Sequence, residues 1–286
     1  MINEQPLKLY QFVLLLLHAQ IGVGIVKLVY DVHQTAKSDS WISVLLAGLF
    51  IQLLIFLYGL IIKRFPNENY FRIIEIVFGK RIGKMISFVH ILYLTYILTV
   101  VIAQYVNIIK TWMMTLTPKW ILALLISVVA VYAAKENLHV ISRFFILASF
   151  VIVIFIVIIL FAFKDANYTY ILPIGKAGIK NIFFGAVSTS YAYQGLAYLL
   201  ILFPYVNAPN KKVVAATSYL NLLITFIYFL TVLVILMFFS SKELDIIIEP
   251  IFYLIKSYSI MIIERPDILF TSSWLVIAVT SSVMVL

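Results

Sequence analysis

Cysteine is missing altogether and charge is scarce: 12% of the 286 residues are Asp, Glu, Lys or Arg, where a soluble domain carries about 25%. Without cysteine there are no disulfides, thiolate metal sites, cysteine nucleophiles or thiol redox chemistry. With so little charge, a chain that is 64% apolar cannot clothe its core in polar surface, and a water-soluble globule is excluded. The short alternating strands of a transmembrane barrel, about ten residues each, give way here to continuous apolar runs such as Phe144 to Phe163. Helices are the spanning element that remains. The apolar stretch after Lys8 lacks a small-x-small cleavage site and reads as a retained first span.

What is present is enough apolar sequence for many crossings of about 20 residues each. Windows bounded by charged or Pro/Gly-bearing connections predict eight spans, near 9–30, 41–62, 86–109, 120–134, 140–163, 179–204, 213–240 and 268–286. They form one transmembrane domain over 1–286, an all-α polytopic membrane protein. The stretch 246–263, interrupted by Glu249, Pro250 and Lys256, suits an interfacial or re-entrant helix better than a ninth crossing. A net charge of +9 fits connections facing anionic lipid and gives no support to nucleic acid as a partner. Lys63, Arg64, Arg72, Lys80, Arg81 and Lys84 crowd the second connection, which places it, and with it the amino terminus, in the cytoplasm. The last apolar run carries no charged residue after Asp267, so the sequence reads as cut off within its fold.

Two spans carry interruptions. The first holds Gly22-Val23-Gly24 at its middle, and two glycines one residue apart weaken helix propagation. A break there points the N-H groups of the second half-helix into the bundle, where they favour a carboxylate, although small residues also serve close helix packing. The sixth span carries Ser188-Thr189-Ser190-Tyr191-Ala192-Tyr193-Gln194-Gly195 between apolar halves. Its bland alternative is hydroxyls bonding the preceding turn. Transporters built from inverted repeats bind substrate between two such discontinuous helices, one per repeat, and breaks five spans apart fit a five-plus-five plan. Lys27 and Asp31 fall four residues apart on one helix face, able to pair, with Lys27 close enough to the span end to snorkel. His18 and His90 are lone imidazoles, better suited to structural hydrogen bonds than to proton relay.

Enzyme signatures are poor. Glu136-Asn137-Leu138-His139 is a single Glu-x-x-His with no zinc partner, and Gly79-Lys80-Arg81-Ile82-Gly83-Lys84 is one residue short of a phosphate loop and lacks the following Ser or Thr. No Gly-x-Ser-x-Gly elbow occurs. The expectation is a protein that is no enzyme, with no catalytic residue, metal ligand or cofactor.

Short pieces in fixed order resemble the B subunit of the germinant receptors of endospore-forming bacteria, a branch of the amino acid, polyamine and organocation transporter superfamily. They are Pro6-Leu7-Lys8-Leu9, Ile21-Gly22-Val23-Gly24-Ile25, Asp39-Ser40-Trp41-Ile42, Phe78-Gly79-Lys80-Arg81-Ile82-Gly83, Ile141-Ser142-Arg143-Phe144, Leu172-Pro173, Leu202-Phe203-Pro204, Glu249-Pro250 and Ile263-Glu264-Arg265. The resemblance implies a LeuT-like fold of two inverted five-helix repeats, of which eight of ten helices would be present. It also implies the spore inner membrane and work alongside an A subunit and a lipoprotein C subunit. Carried over, the ligand positions are Gly22, Val23 and Gly24 on the first helix and Tyr193, Gln194 and Gly195 on the sixth. Where many relatives have a glutamate after that glycine, Leu196 and Ala197 follow here, which removes a charge from that point.

The first reading is therefore a receptor subunit that binds a small germinant, most simply an amino acid. Backbone of Gly22 to Gly24 would hold its charged ends, and Ser190, Tyr193, Gln194, Tyr96 and Gln104 would shape the side-chain pocket. A second reading is an ion- or proton-coupled amino acid transporter using the same pocket, with His18, Lys27 or His90 handling protons. A third is a nonfunctional truncated fragment. Uptake into proteoliposomes separates the second from the first, and extension by two helices tests the third.

Overall fold

The computed structural model describes residues 6–258 and 266–285. Among them the chain is helical, with one isolated parallel bridge between Leu7 and Val206. The helices are α1 (Leu9–Gln20), α2 (Val23–Ala36), α3 (Ser40–Arg64), α4 (Tyr70–Phe78), α5 (Lys80–Trp112), α6 (Lys119–Ala134) and α7 (Leu138–Ala162). There follow α8 (Gly178–Ser190), α9 (Tyr198–Leu202), α10 (Asn210–Phe238), α11 (Ser241–Leu244), α12 (Pro250–Ser257) and α13 (Pro266–Val285). Among the described residues six helical stretches are long and apolar enough to cross a bilayer, and the protein is an all-α polytopic membrane protein. Two of the expected spans are short: the first divides into α1 and α2, and α6, at 16 residues, reaches about 24 Å at 1.5 Å per residue. The third expected span, α5, begins at Lys80, earlier than the charge pattern predicts, because its basic first turns continue the helix past the apolar window.

Local chemistry explains the ends. Gln11 accepts from the Lys8 N-H at 2.9 Å and starts α1, and Asn69 accepts from the Arg72 N-H at 2.9 Å and starts α4. Gly79 turns α4 back on α5 with φ 79°, a backbone conformation open to glycine. A Cβ on Gly83 would stand 2.7 Å from the Glu75 Cα, so the glycines of the phosphate-loop look-alike serve this helical hairpin. Between α2 and α3, Lys37 takes φ 50° and a 3-10 turn ends at Asp39. The Asp39 carboxylate is fully buried and accepts from the N-H groups of Gly175 and Ala177 at 2.7 and 2.8 Å, fixing the loop that leads into α8. The stretch expected to lie at an interface contains the eight-residue α12, opened by Pro250 at its first position and buried against α13, α2 and α10. The residues 259–265, with Ile263, Glu264 and Arg265 of the last quoted motif, lie outside the described residues.

Burial sorts the helices into a centre and a rim. α10 contacts α3, α1, α7 and α2 and is buried along most of its length, whereas α5 through its apolar middle is buried nowhere. Small residues let the central helices approach: a Cβ on Gly48 would collide with the Thr225 side chain, and one on Gly185 with Ser43. Polar side chains bridge the same contacts. Asn221 donates to the Gly48 carbonyl at 3.1 Å and to Gln52 Oε1 at 3.0 Å, while Gln52 donates to Ser218 at 2.9 Å.

Candidate ligand cleft at two interrupted helices

The first break falls where the glycines place it. α1 ends at Gln20, the chain bends through Ile21 and Gly22, and α2 restarts at Val23. The sixth-span interruption takes another form: from Tyr191 to Ala197 the helix tightens into seven residues of 3-10 winding between α8 and α9. A mid-helix 3-10 stretch marks a hinge or a strained segment. The two interruptions touch. A Cβ on Gly195 would strike the backbone of Ala19, and one on Gly24 would sit 3.2 Å from the Ala192 Cα. A Cβ on Gly22 would meet Ser281 of α13 at 3.1 Å.

Beside this crossing lies a cleft of about 310 Å³, walled by α2, α5 and the 3-10 segment. That size lies at the small end of ligand pockets. Of the residues read from the sequence as ligand-binding, Gly22, Gly24, Tyr96, Gln104, Gln194 and Gly195 line it. Ser190 and Tyr193 do not. Ser190 donates to the Ala186 carbonyl one turn back at 2.9 Å, and Tyr193 is buried and donates to Thr225 on α10 at 3.0 Å. The cause is the winding. With three residues per turn, Ser188, Tyr191, Gln194 and Ala197 form one row and Ala192, Gly195 and Tyr198 a second, and both rows line the cleft. Ser190, Tyr193 and Leu196 fall in the third row, turned to the core. The Val23 side chain lies outside the described residues.

A residue the sequence did not single out joins the two breaks. Tyr228 of α10 is fully buried, and its hydroxyl lies 2.8 Å from the Gln20 carbonyl at the end of α1 and 3.0 Å from the Ala192 carbonyl in the 3-10 segment. One proton faces two acceptors, so the hydroxyl is shared between the two interrupted helices. Tyr193 packs edge-on against the same ring, with centroids 5.1 Å apart.

At the α1 end, both interrupted spans are tied down. The Leu7 N-H donates to the Tyr205 carbonyl and the Asn207 N-H to the Leu7 carbonyl, each at 2.8 Å. Gln11 donates to Ser142 at 2.8 Å. His18 is buried with Nε2 3.0 Å from the Phe145 carbonyl and Nδ1 3.2 Å from Thr280 Oγ1, a set of partners that fixes α1 against α7 and α13. His90 lies among the rings of Tyr70 and Tyr93.

At the α2 end, Lys27 and Asp31 both line the cleft and pair at 3.2 Å. Beyond them a second chamber of about 530 Å³ is walled by α2, α5 and residues 246–253. The connection above it is held by its own chemistry: Ser240 and Glu243 cap α11 reciprocally, and Lys37 donates to Asp245 at 2.7 Å, which holds that carboxyl below the ordinary aspartate range. Glu249 borders the chamber with Oε2 accepting from Trp112 Nε1 at 3.0 Å. Among the described residues no group of three or more His, Cys, Asp or Glu forms a candidate metal site.

Residues 6–286 match a family model described as spore germination protein. Spore germination protein GerQB of Bacillus cereus is 23% identical over 271 residues, which cover 95% of this chain and 75% of that protein. Spore germination protein B2 of Bacillus subtilis is 22% identical over 280 residues, 95% of this chain and 74% of the relative. Spore germination protein KB of the same species is 31% identical over a shorter stretch of 108 residues, 38% of this chain and 29% of the relative.

Proposed function

From the premise that the chain belongs to the spore germination protein family, we propose that it is the membrane subunit of a germinant receptor, binding a small germinant in the cleft between the two interrupted helices. The observation that carries this reading is the cleft itself: broken backbone of the first span, a 3-10 turn of the sixth and the inner face of α5 converge on one space of ligand size. An amino acid is the simplest occupant, because the first N-H groups of a helix such as α2 have no acceptor within it and favour a carboxylate. Gln104 and Gln194 offer amide groups to its remaining polar atoms, and Tyr96 offers an aromatic face. Binding acts by differential affinity: a germinant moves the receptor only to the extent that it prefers one arrangement of the two interrupted helices. The arrangement is passed on to the A and C subunits in the spore inner membrane, with the amino terminus in the cytoplasm and the α2 end outside. The architecture behind it is the inverted-repeat plan, with the two breaks in corresponding spans.

The test is Gly24→Leu in spores that carry the partner subunits. The added side chain presses on the Ala192 backbone, 3.2 Å from the new Cβ, and the germinant concentration for half-response is expected to rise by about 100-fold or more, read in spores whose membranes are shown to hold the receptor. Gln104→Leu, which alters the opposite wall and leaves the helix crossing alone, serves as the second variant. A normal dose-response from both, with assembly confirmed, sinks the site.

A further inference from the structure

Two residues, Lys27 and Gln104, line both the ligand cleft and the second chamber. They form the neck between the two, and Lys27 is the charged member. Its ammonium is held by Asp31 at 3.2 Å, with side chains 42% and 43% exposed, and among the described residues the other carboxylate bordering these chambers is Glu249, already engaged by Trp112. A pair this open to solvent contributes little to stability and exchanges partners readily.

We propose that Lys27 and Asp31 are the specificity-determining pair of this receptor, opening to a ligand that carries both a carboxylate and an ammonium group. The inference rests on the cleft being the germinant site. With the ligand's carboxylate at the start of α2, the Lys27 ammonium one turn along the same helix takes it as counter-ion while the Asp31 carboxylate takes the ligand's ammonium, so one ion pair becomes two and no charge is left without a partner. An uncharged ligand offers nothing in exchange for the pair. A simple carboxylate takes Lys27 and strands Asp31, and a simple amine does the reverse. The partner exchange explains why two opposite charges stand in the wall of a cleft otherwise built from apolar side chains, glycines, tyrosines, serines and amides, where a lysine serving only the membrane surface needs no aspartate at its side.

The experiment is a germination dose-response on spores carrying this subunit and its partners, with each common amino acid tested beside its amide and beside the acid lacking the amino group. The wild type is expected to prefer the amino acid over both by tenfold or more. Lys27→Met abolishes the preference over the amide, Asp31→Asn abolishes the preference over the deaminated acid, and Lys27→Arg preserves both. The inference is overturned by a wild type that answers amide and acid equally, by one silent to every zwitterion in the panel, or by a Lys27→Met receptor that keeps the acid-to-amide ratio. Gly24→Leu in the same assay separates the two levels: a normal response there removes the site itself, whereas a silent Gly24→Leu beside an unchanged Lys27→Met ratio removes only the role of the pair.

Discussion

The two interrupted helices reach the same crossing by different means. In the first span the helix stops and restarts, which leaves the first N-H groups of α2 without an acceptor inside the helix. In the sixth the helix never stops; it tightens for seven residues, keeps bonding within the chain and turns its side chains through a three-residue period. In the proposed site one break therefore offers backbone to a ligand, and the other offers selected side chains. Both depend on closeness: Gly195 lies against the Ala19 backbone and Gly24 against Ala192.

The largest expected effect comes from removing that closeness on the sixth-span side. In Gly195→Ala the new Cβ meets backbone atoms of Ala19, which cannot rotate away. Overpacking costs about 1–3 kcal/mol, and more where backbone must shift, against which the gain of about 1 kcal/mol in helix propensity is too small. The variant is expected to lose about 3 kcal/mol or more and to fall sharply in membrane abundance, measured by immunoblot and thermal aggregation in detergent. Gly24→Ala, whose Cβ sits at 3.2 Å from its neighbour, is expected to assemble. If the two alanine variants behave alike, the asymmetry between the interruptions is broken.

How much of this was legible beforehand follows from the range of each signal. The first break is written in Gly22 and Gly24, two local signals in an apolar run, and the structure has it there. The sixth-span interruption was visible as a polar stretch ending in Gly195, but its winding was not. Reading the stretch as an unwound segment gave no reason to place Tyr193 and Ser190 in a row apart from Gln194, and the three-residue period does so. Asp39 stood in the sequence only as the first residue of a short motif, because its partners are backbone N-H groups at Gly175 and Ala177, more than a hundred residues along the chain. Tyr228 was hidden for the same reason. A tyrosine in a long apolar helix gives no sign of the two carbonyls it serves.

That tyrosine gives the next test, intermediate in size. Tyr228→Phe keeps the ring against Tyr193 and removes one hydroxyl shared by Gln20 and Ala192. Gln20 retains the Gly22 N-H at 3.1 Å and Ala192 stands in a 3-10 segment that bonds within the chain, so the loss is that of one hydroxyl serving two carbonyls, about 1–2 kcal/mol. Abundance is expected to drop modestly. The half-response concentration for germinant is expected to shift as well, because the two interruptions are no longer held to one another. A change in abundance with no change in half-response concentration would make Tyr228 a packing residue only.

The smallest effect is expected from Tyr193→Phe, and it bears directly on the winding. The hydroxyl reaches Thr225 at 3.0 Å on the core side, away from the cleft. Its loss costs about 1 kcal/mol, the usual net worth of a neutral hydrogen bond, and the germinant preference is expected to stay as in the wild type. Gln194→Leu, one residue on and in the cleft-lining row, is expected to leave stability unchanged and to alter the preference. The pair of variants opposes adjacent positions in one segment. If Tyr193→Phe changes which germinants are answered and Gln194→Leu does not, the row assignment is inverted, and with it the account of how the sixth-span interruption presents its side chains.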